Sequence, residues 1–123
     1  MAISLTIAEA AEASGVSAHT LRYYEREGVL DPITRASNGH RRYGERELEW
    51  IRFLTKLRAT GMPIRQIRAY AELYRRGDGT HVQRLALLEE HRESVREQLA
   101  ATERNLELID RKIDYYRERL SSR

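Results

Sequence analysis

The longest regular pattern in the chain lies at its C-terminal end. Leu85, Leu88, Arg92, Val95, Leu99, Thr102, Leu106, Ile109, Ile113, Tyr116 and Leu120 alternate spacings of three and four. That is five heptads with one seam, and nine of the eleven seam positions are apolar, which predicts a single long helix with a sticky stripe. At about 1.5 Å per residue it spans roughly 54 Å. Its other faces are mostly Glu, Arg and Gln, so it has no globular core of its own to lie against. An identical helix is the expected partner, which makes the chain a homodimer. Arg92 and Thr102 break the seam; they either set register and orientation or are imperfections near a crossing point. Leu87, Leu108 and Tyr115 lie off it and are expected to touch the N-terminal domain or that of the partner.

Upstream, the apolar positions fall into four shorter helical groups. Thr6 followed by Glu9 has capping-box form, so a helix is predicted over 7–14, stopped at Gly15. Ser17 can cap a second helix that turns Leu21 and Tyr24 toward the first and ends at Gly28. Two short helices joined at Ser14-Gly15-Val16 read as a helix-turn-helix; the plainer alternative is two ordinary helices of an all-α domain. Residues 30–43 carry Pro32, Ile33, Asn38-Gly39 and Tyr43, which predicts a small two-stranded wing. A third helix is expected over 45–59, with Leu48, Ile51, Phe53, Leu54 and Leu57 inside and Gly61 ending it. Trp50 reads as core, with a pocket wall as the alternative. Pro63 suits the first position of a fourth helix, along which Ile64, Ile67, Tyr70, Ala71 and Tyr74 recur at helical spacing. Thr80 and Gln83 give a capping box for the long helix. The expected organisation is a winged helix-turn-helix domain at 1–76, a hinge at 77–79 and a coiled-coil helix at 80–120, mainly α throughout.

Charge sharpens this picture. The net formal charge is +3, but it is unevenly spread. Residues 1–76 carry 13 Lys and Arg against 9 Asp and Glu, and residues 77–123 carry 9 against 10. Basic excess confined to the N-terminal part suits a polyanion met by that part alone. Two arginine-tyrosine clusters, Arg22-Tyr23-Tyr24 and Arg41-Arg42-Tyr43, fall on adjacent small elements. Arginine offers a planar fork to phosphates and guanine edges, and tyrosine a flat face and a hydroxyl. Tyr23 and Tyr24 face about 100° apart on a helix, so Tyr24 is assigned to the core and Tyr23 to phosphate.

Other chemistries find little footing. The chain has no cysteine, which excludes disulfides, zinc knuckles and thiol redox sensing. His81, Glu89, Glu90 and His91 do not place two histidines on one helical turn, so no metal and no cofactor is expected. The carboxylates of the long helix read as a solvated face, paired along it as Glu89–Arg92, Glu93–Arg96 and Glu107–Arg111. Without nucleophile, metal cluster or phosphate loop, an enzyme is not expected. No apolar run reaches the roughly 20 residues of a membrane span, and the N-terminus lacks a signal-peptide pattern. A soluble cytoplasmic protein without membrane contact follows as the expectation.

The ordered series Leu21-Arg22-Tyr23-Tyr24-Glu25, Gly28, Asn38-Gly39 and Arg41-Arg42-Tyr43, followed by WIRFLTKLRATGMPIRQIRAY and the long helix, resembles the MerR family of transcription regulators over essentially the whole chain. The resemblance implies a winged helix-turn-helix homodimer on a palindromic double-stranded DNA site, its two heads spaced by an antiparallel coiled coil. It implies that Ser17, His19, Thr20, Arg22 and Tyr23 belong to the recognition helix, and Arg35, His40, Arg42 and Tyr43 to the wing. It further implies a protein that bends and untwists an overlong promoter spacer for RNA polymerase and is switched by an effector. A coiled-coil interaction adaptor without specific DNA binding is the alternative function.

The segment around WIRFLTKLRATGMPI looks most like the aldehyde- and electrophile-responsive subgroup, whose single thiol would fall at or beside Lys56. Lacking it, the chain leaves three readings open: a Schiff base at a buried Lys56, a small apolar or aromatic ligand among Trp50, Tyr70, Tyr74 and the partner's long helix, or no effector.

Overall fold

The computed structural model describes residues 4–30 and 43–122. Among the described residues there are five α-helices, α1 (Ile7–Ser14), α2 (Ala18–Arg26), α3 (Glu45–Ala59), α4 (Ile64–Arg76) and α5 (His81–Ser121), with a 3-10 turn at Asp78–Thr80 before the last. The chain divides into two units, one ending at Leu87 and the other beginning at Leu88. The predicted wing hairpin lies outside the described residues. Its last residue does not: Tyr43 forms an isolated antiparallel bridge with Leu5, through Leu5 N–H to Tyr43 O at 2.8 Å and Tyr43 N–H to Leu5 O at 2.7 Å.

Local chemistry sets the helix ends. Thr6 Oγ1 accepts from the Glu9 N–H at 3.1 Å, and Glu9 Oε1 accepts from the Thr6 N–H at 2.8 Å, so the capping box satisfies two donors that would otherwise have no helical partner. Gly15 closes α1 in the left-handed region at φ 74°, where a side chain is disfavoured. Ser17 Oγ accepts from the Thr20 N–H at 3.1 Å and so starts α2. Glu47 closes the first turn of α3 by accepting from the Gly44 N–H at 3.0 Å.

The core of the first unit gathers Ala10, Val16, Leu21, Tyr24, Val29, Leu30, Tyr43, Leu48, Ile51, Leu54, Leu57, Met62, Ile67 and Ala71. These are one stripe from each of α1 to α4 plus the turns between them. Burying a large apolar side chain of this kind stabilises the fold by about 1.5–3 kcal/mol.

Three expectations are corrected. Phe53 is not inside; it is 38% exposed, since the buried stripe of α3 runs Leu48, Ile51, Leu54, Leu57 and leaves position 53 a quarter-turn away. Pro63 is the N-cap of α4 rather than its first residue. Its φ of −62° suits either place, but its ψ of 146° is extended, and its carbonyl accepts from the Ile67 N–H at 3.2 Å. Thr80 is buried and turned backward. Its hydroxyl lies 2.7 Å from both Leu73 O and Gly77 O and accepts from Arg84 Nε at 3.0 Å.

The second unit is the remainder of α5. Among its described residues none is buried. Leu99, Leu106, Ile109, Ile113, Tyr116 and Leu120 stand between 41% and 65% exposed. Glu89 and Arg92 pair at 3.9 Å. Tyr115, off the seam, is flanked by Lys112 and Arg119, whose cations lie 5.3 Å and 4.5 Å from its ring centre.

Candidate nucleic-acid interface and the adjoining aromatic cleft

Helix α2 has two opposed faces. Leu21 and Tyr24 are buried, whereas His19, Arg22 and Arg26 are exposed and Tyr23 is half-buried. The spacing of 19, 22, 23 and 26 is that of one helical stripe, so a histidine, two arginines and a tyrosine share the outward face. Arg26 was missed in the sequence; its place seven residues after His19 was the signal for it. Tyr23 leans on Tyr24 with ring centres 5.9 Å apart, which couples the outward stripe to the core.

The N-terminus of α2 is also presented. Ser17 is exposed, and its Oγ donates to Thr20 Oγ1 at 2.9 Å while accepting the Thr20 N–H. Thr20 is half-buried, and its hydroxyl accepts from Ser17. A helix N-terminus of this kind favours anions.

Tyr43 behaves differently from its expected place in the wing. Its ring is fully buried and its backbone is locked to Leu5. An enclosed ring cannot touch a duplex, so Tyr43 is a core residue that anchors the end of the wing segment. Arg35, His40 and Arg42 lie outside the described residues.

Beside the interface, α3 and α4 enclose a cleft of about 440 Å³. Trp50 and Tyr70 stack nearly parallel, 6° apart with centres at 5.7 Å, and Phe53 tilts against both at 6.0 and 6.1 Å. Tyr74 completes the aromatic wall, and Val29 and Leu30 form the apolar floor. Trp50 is thus a half-buried pocket wall rather than core, and its Nε1 donates to Val29 O at 2.6 Å. Of the four residues expected at an effector region, Trp50, Tyr70 and Tyr74 come together. Lys56 is exposed and outside the cleft lining, so the enclosed lysine a Schiff base needs is not formed. Among the described residues no cluster of three His, Cys, Asp or Glu could hold a metal ion, and no helix is long and apolar enough to cross a membrane.

Comparison with known proteins agrees with this layout. Residues 5–73 match the profile of the MerR HTH family regulatory protein, and residues 48–119 match that of the MerR DNA-binding region. An uncharacterized HTH-type transcriptional regulator of Haemophilus influenzae is 39% identical over 114 residues, covering 93% of this chain and 84% of the relative. The HTH-type transcriptional regulator AdhR of Bacillus subtilis is 37% identical over 89 residues, covering 72% of this chain but 64% of its own length. Among solved structures, HiNmlR, a MerR family regulator lacking the sensor domain and bound to promoter DNA, superposes with a TM-score of 0.84 at 38% identity, covering 96% of this chain and 92% of the other. With a helix-turn-helix that shows a basic stripe, a long terminal helix, and family matches that run from residue 5 to residue 119, the chain belongs to the MerR family of DNA-binding transcriptional regulators.

Proposed function

We propose that the protein works as a homodimer on a palindromic promoter site in the cytoplasm. Residues 1–76 act as the reading head, 77–79 as the hinge and 80–120 as the dimerisation helix. The observation that carries this reading is a 41-residue helix with no buried residue, attached to a head with an outward His-Arg-Tyr-Arg stripe. Helices in proteins draw most of their stability from packing an apolar face, and this seam lies exposed. Antiparallel pairing of two copies buries the seam and sets the distance between two α2 helices, hence the spacing of the half-sites.

In this reading His19, Arg22, Tyr23 and Arg26 face the major groove, with Ser17 and Thr20 at the helix N-terminus toward phosphate. Arg35, His40 and Arg42 of the wing segment reach the flanking backbone. The dimer bends and untwists the promoter spacer, at a cost of about 1–6 kcal/mol, and so presents it to RNA polymerase. Its effector is a small planar aromatic compound that stacks in the Trp50–Tyr70–Tyr74 cleft; pockets of this size and lining suit such molecules. Trp50 is the only tryptophan, so its fluorescence reports occupancy directly.

Selection of genomic fragments by the purified protein tests the reading. Paired half-sites at fixed separation inside promoter spacers are expected. With about 6–10 phosphate contacts per dimer, affinity drops roughly 10³–10⁵-fold between 50 and 200 mM salt. Fragments without a repeated half-site, or binding indifferent to salt, would defeat it.

A further inference from the structure

The end of α2 is gripped from behind. Three consecutive backbone carbonyls follow the helix, those of Glu27, Gly28 and Val29. Arg68 Nε donates to Glu27 O at 2.6 Å, and its Nη2 also meets Glu27 Oε2 at 3.3 Å. Arg75 Nη2 donates to Gly28 O at 2.8 Å. Trp50 Nε1 donates to Val29 O at 2.6 Å. The donors come from α3 and α4, between 21 and 47 residues away in sequence.

A helix leaves its last carbonyls without intrahelical partners. Here the chain also turns at Gly28, with φ 76°. The Val29 and Leu30 N–H groups fold back to Tyr24 O at 3.1 and 3.3 Å. The Gly28 N–H also reaches Glu25 O at 3.2 Å, so the turn satisfies two helical carbonyls, and those of Glu27, Gly28 and Val29 take their donors from α3 and α4. Two of the three donors are guanidinium groups, and hydrogen bonds to charged donors are stronger than neutral ones. The bonds run from different helices, so they fix the position of the helix end in more than one direction.

We propose that Arg68, Arg75 and Trp50 form a positioning clamp for the recognition helix: they set its pose for specific DNA without touching DNA themselves. The proposal rests on α2 being the reading element. It reassigns two arginines that charge counting alone places among the polyanion contacts. It also connects the cleft to the interface, because Trp50 and Arg75 line the cleft while holding the carbonyls. The clamp acts on pose, so it governs the difference between a matched and an unmatched site, whereas a phosphate contact strengthens both equally.

The test measures binding of the full chain to its selected operator and to a scrambled duplex of equal length, each from 50 to 200 mM salt. Trp50→Phe keeps one aromatic ring beside Tyr70 and Phe53 but removes the N–H along with the second ring of the indole, so its unfolding midpoint is measured alongside. The variant Arg68→Ala with Arg75→Ala removes both guanidinium donors. Arg22→Ala serves as the direct-contact reference. The clamp variants are expected to lose operator affinity by about fivefold for Trp50→Phe, in keeping with one lost hydrogen bond, and by tenfold or more for the double variant. Their affinity for scrambled duplex and their salt slopes stay at the wild-type values. If operator and scrambled duplex weaken together and the slope falls by about one per arginine and protomer, the arginines are phosphate contacts and the clamp is overturned. An unchanged ratio in Trp50→Phe, in a variant whose unfolding midpoint matches wild type, overturns it as well. Failure of Arg22→Ala to weaken either duplex would instead remove the assignment of α2 and leave the clamp without a function.

Discussion

Thr80 joins three pieces of chain through one oxygen. Its hydroxyl reaches Leu73 O at the end of α4 and Gly77 O in the turn, and it accepts from Arg84 one turn into α5. Arg84 in turn lies 5.4 Å from the Tyr74 ring centre. Thr80→Val keeps the shape and deletes this oxygen, so Arg84 Nε and two carbonyls lose a buried partner. A loss of about 1–3 kcal/mol is expected from urea unfolding, most of it restored in Thr80→Ser. A second pair of residues separates stability from recognition. Tyr43 is fully buried and Arg22 fully outward. Tyr43→Ala should cost about 3–5 kcal/mol in unfolding, as aromatic truncations in cores do. Arg22→Ala should leave the midpoint within about 0.5 kcal/mol while duplex affinity falls. If the two effects come out exchanged, the assignment of inner and outer faces is wrong.

At the scale of elements, the parts legible in the sequence were those written in local code. Thr6-Glu9, Gly15, Ser17 and the α3 limits at 45 and 59 follow from caps and periodicity, which act within four residues. Residues whose place depends on distant partners were not legible. Trp50 could be core or wall until Val29 O and the Tyr70 ring were found beside it. Nothing local marks Arg68 or Arg75, because their acceptors lie 41 and 47 residues upstream. Thr80 fitted a local capping rule, but its hydroxyl turns to the carbonyls of α4 and the turn. The turn between α1 and α2 gives a clean test at this scale. Gly15 sits at φ 74° and a Cβ there would meet nothing within 4 Å. The cost of Gly15→Ala is therefore conformational, about 1–2 kcal/mol. It should appear as a drop of several degrees in melting temperature, with Gly15→Asn falling between Ala and wild type. A larger loss for Asn than for Ala would show that the left-handed backbone is not what the glycine supplies.

For the whole molecule, the decisive quantity is whether two heads are joined. A seam of exposed Leu and Ile on α5 lies uncovered, and in the proposed homodimer the seam of a second copy covers it. Leu106 stands near the middle of the helix at 53% exposure. Leu106→Asp places a charge in the seam of each copy, and desolvating it opposes pairing. The variant is expected to sediment at the mass of one chain, 14.4 kDa, where the parent sediments at twice that. Helical content should fall too, since the separated helix loses the packing of its apolar face. Glu107→Ala, one position off the seam, should change neither. Separation has a consequence for recognition that no surface charge explains. Joined heads bind a second half-site at an effective concentration in the millimolar range, worth about 10²–10⁴-fold in overall affinity. Leu106→Asp should therefore lose that factor on a two-half-site duplex and almost nothing on a single half-site, although every residue of the α2 stripe is untouched. A monomeric variant that held the paired site as tightly as the parent would mean that each head reads DNA alone, and that the long helix serves some other contact.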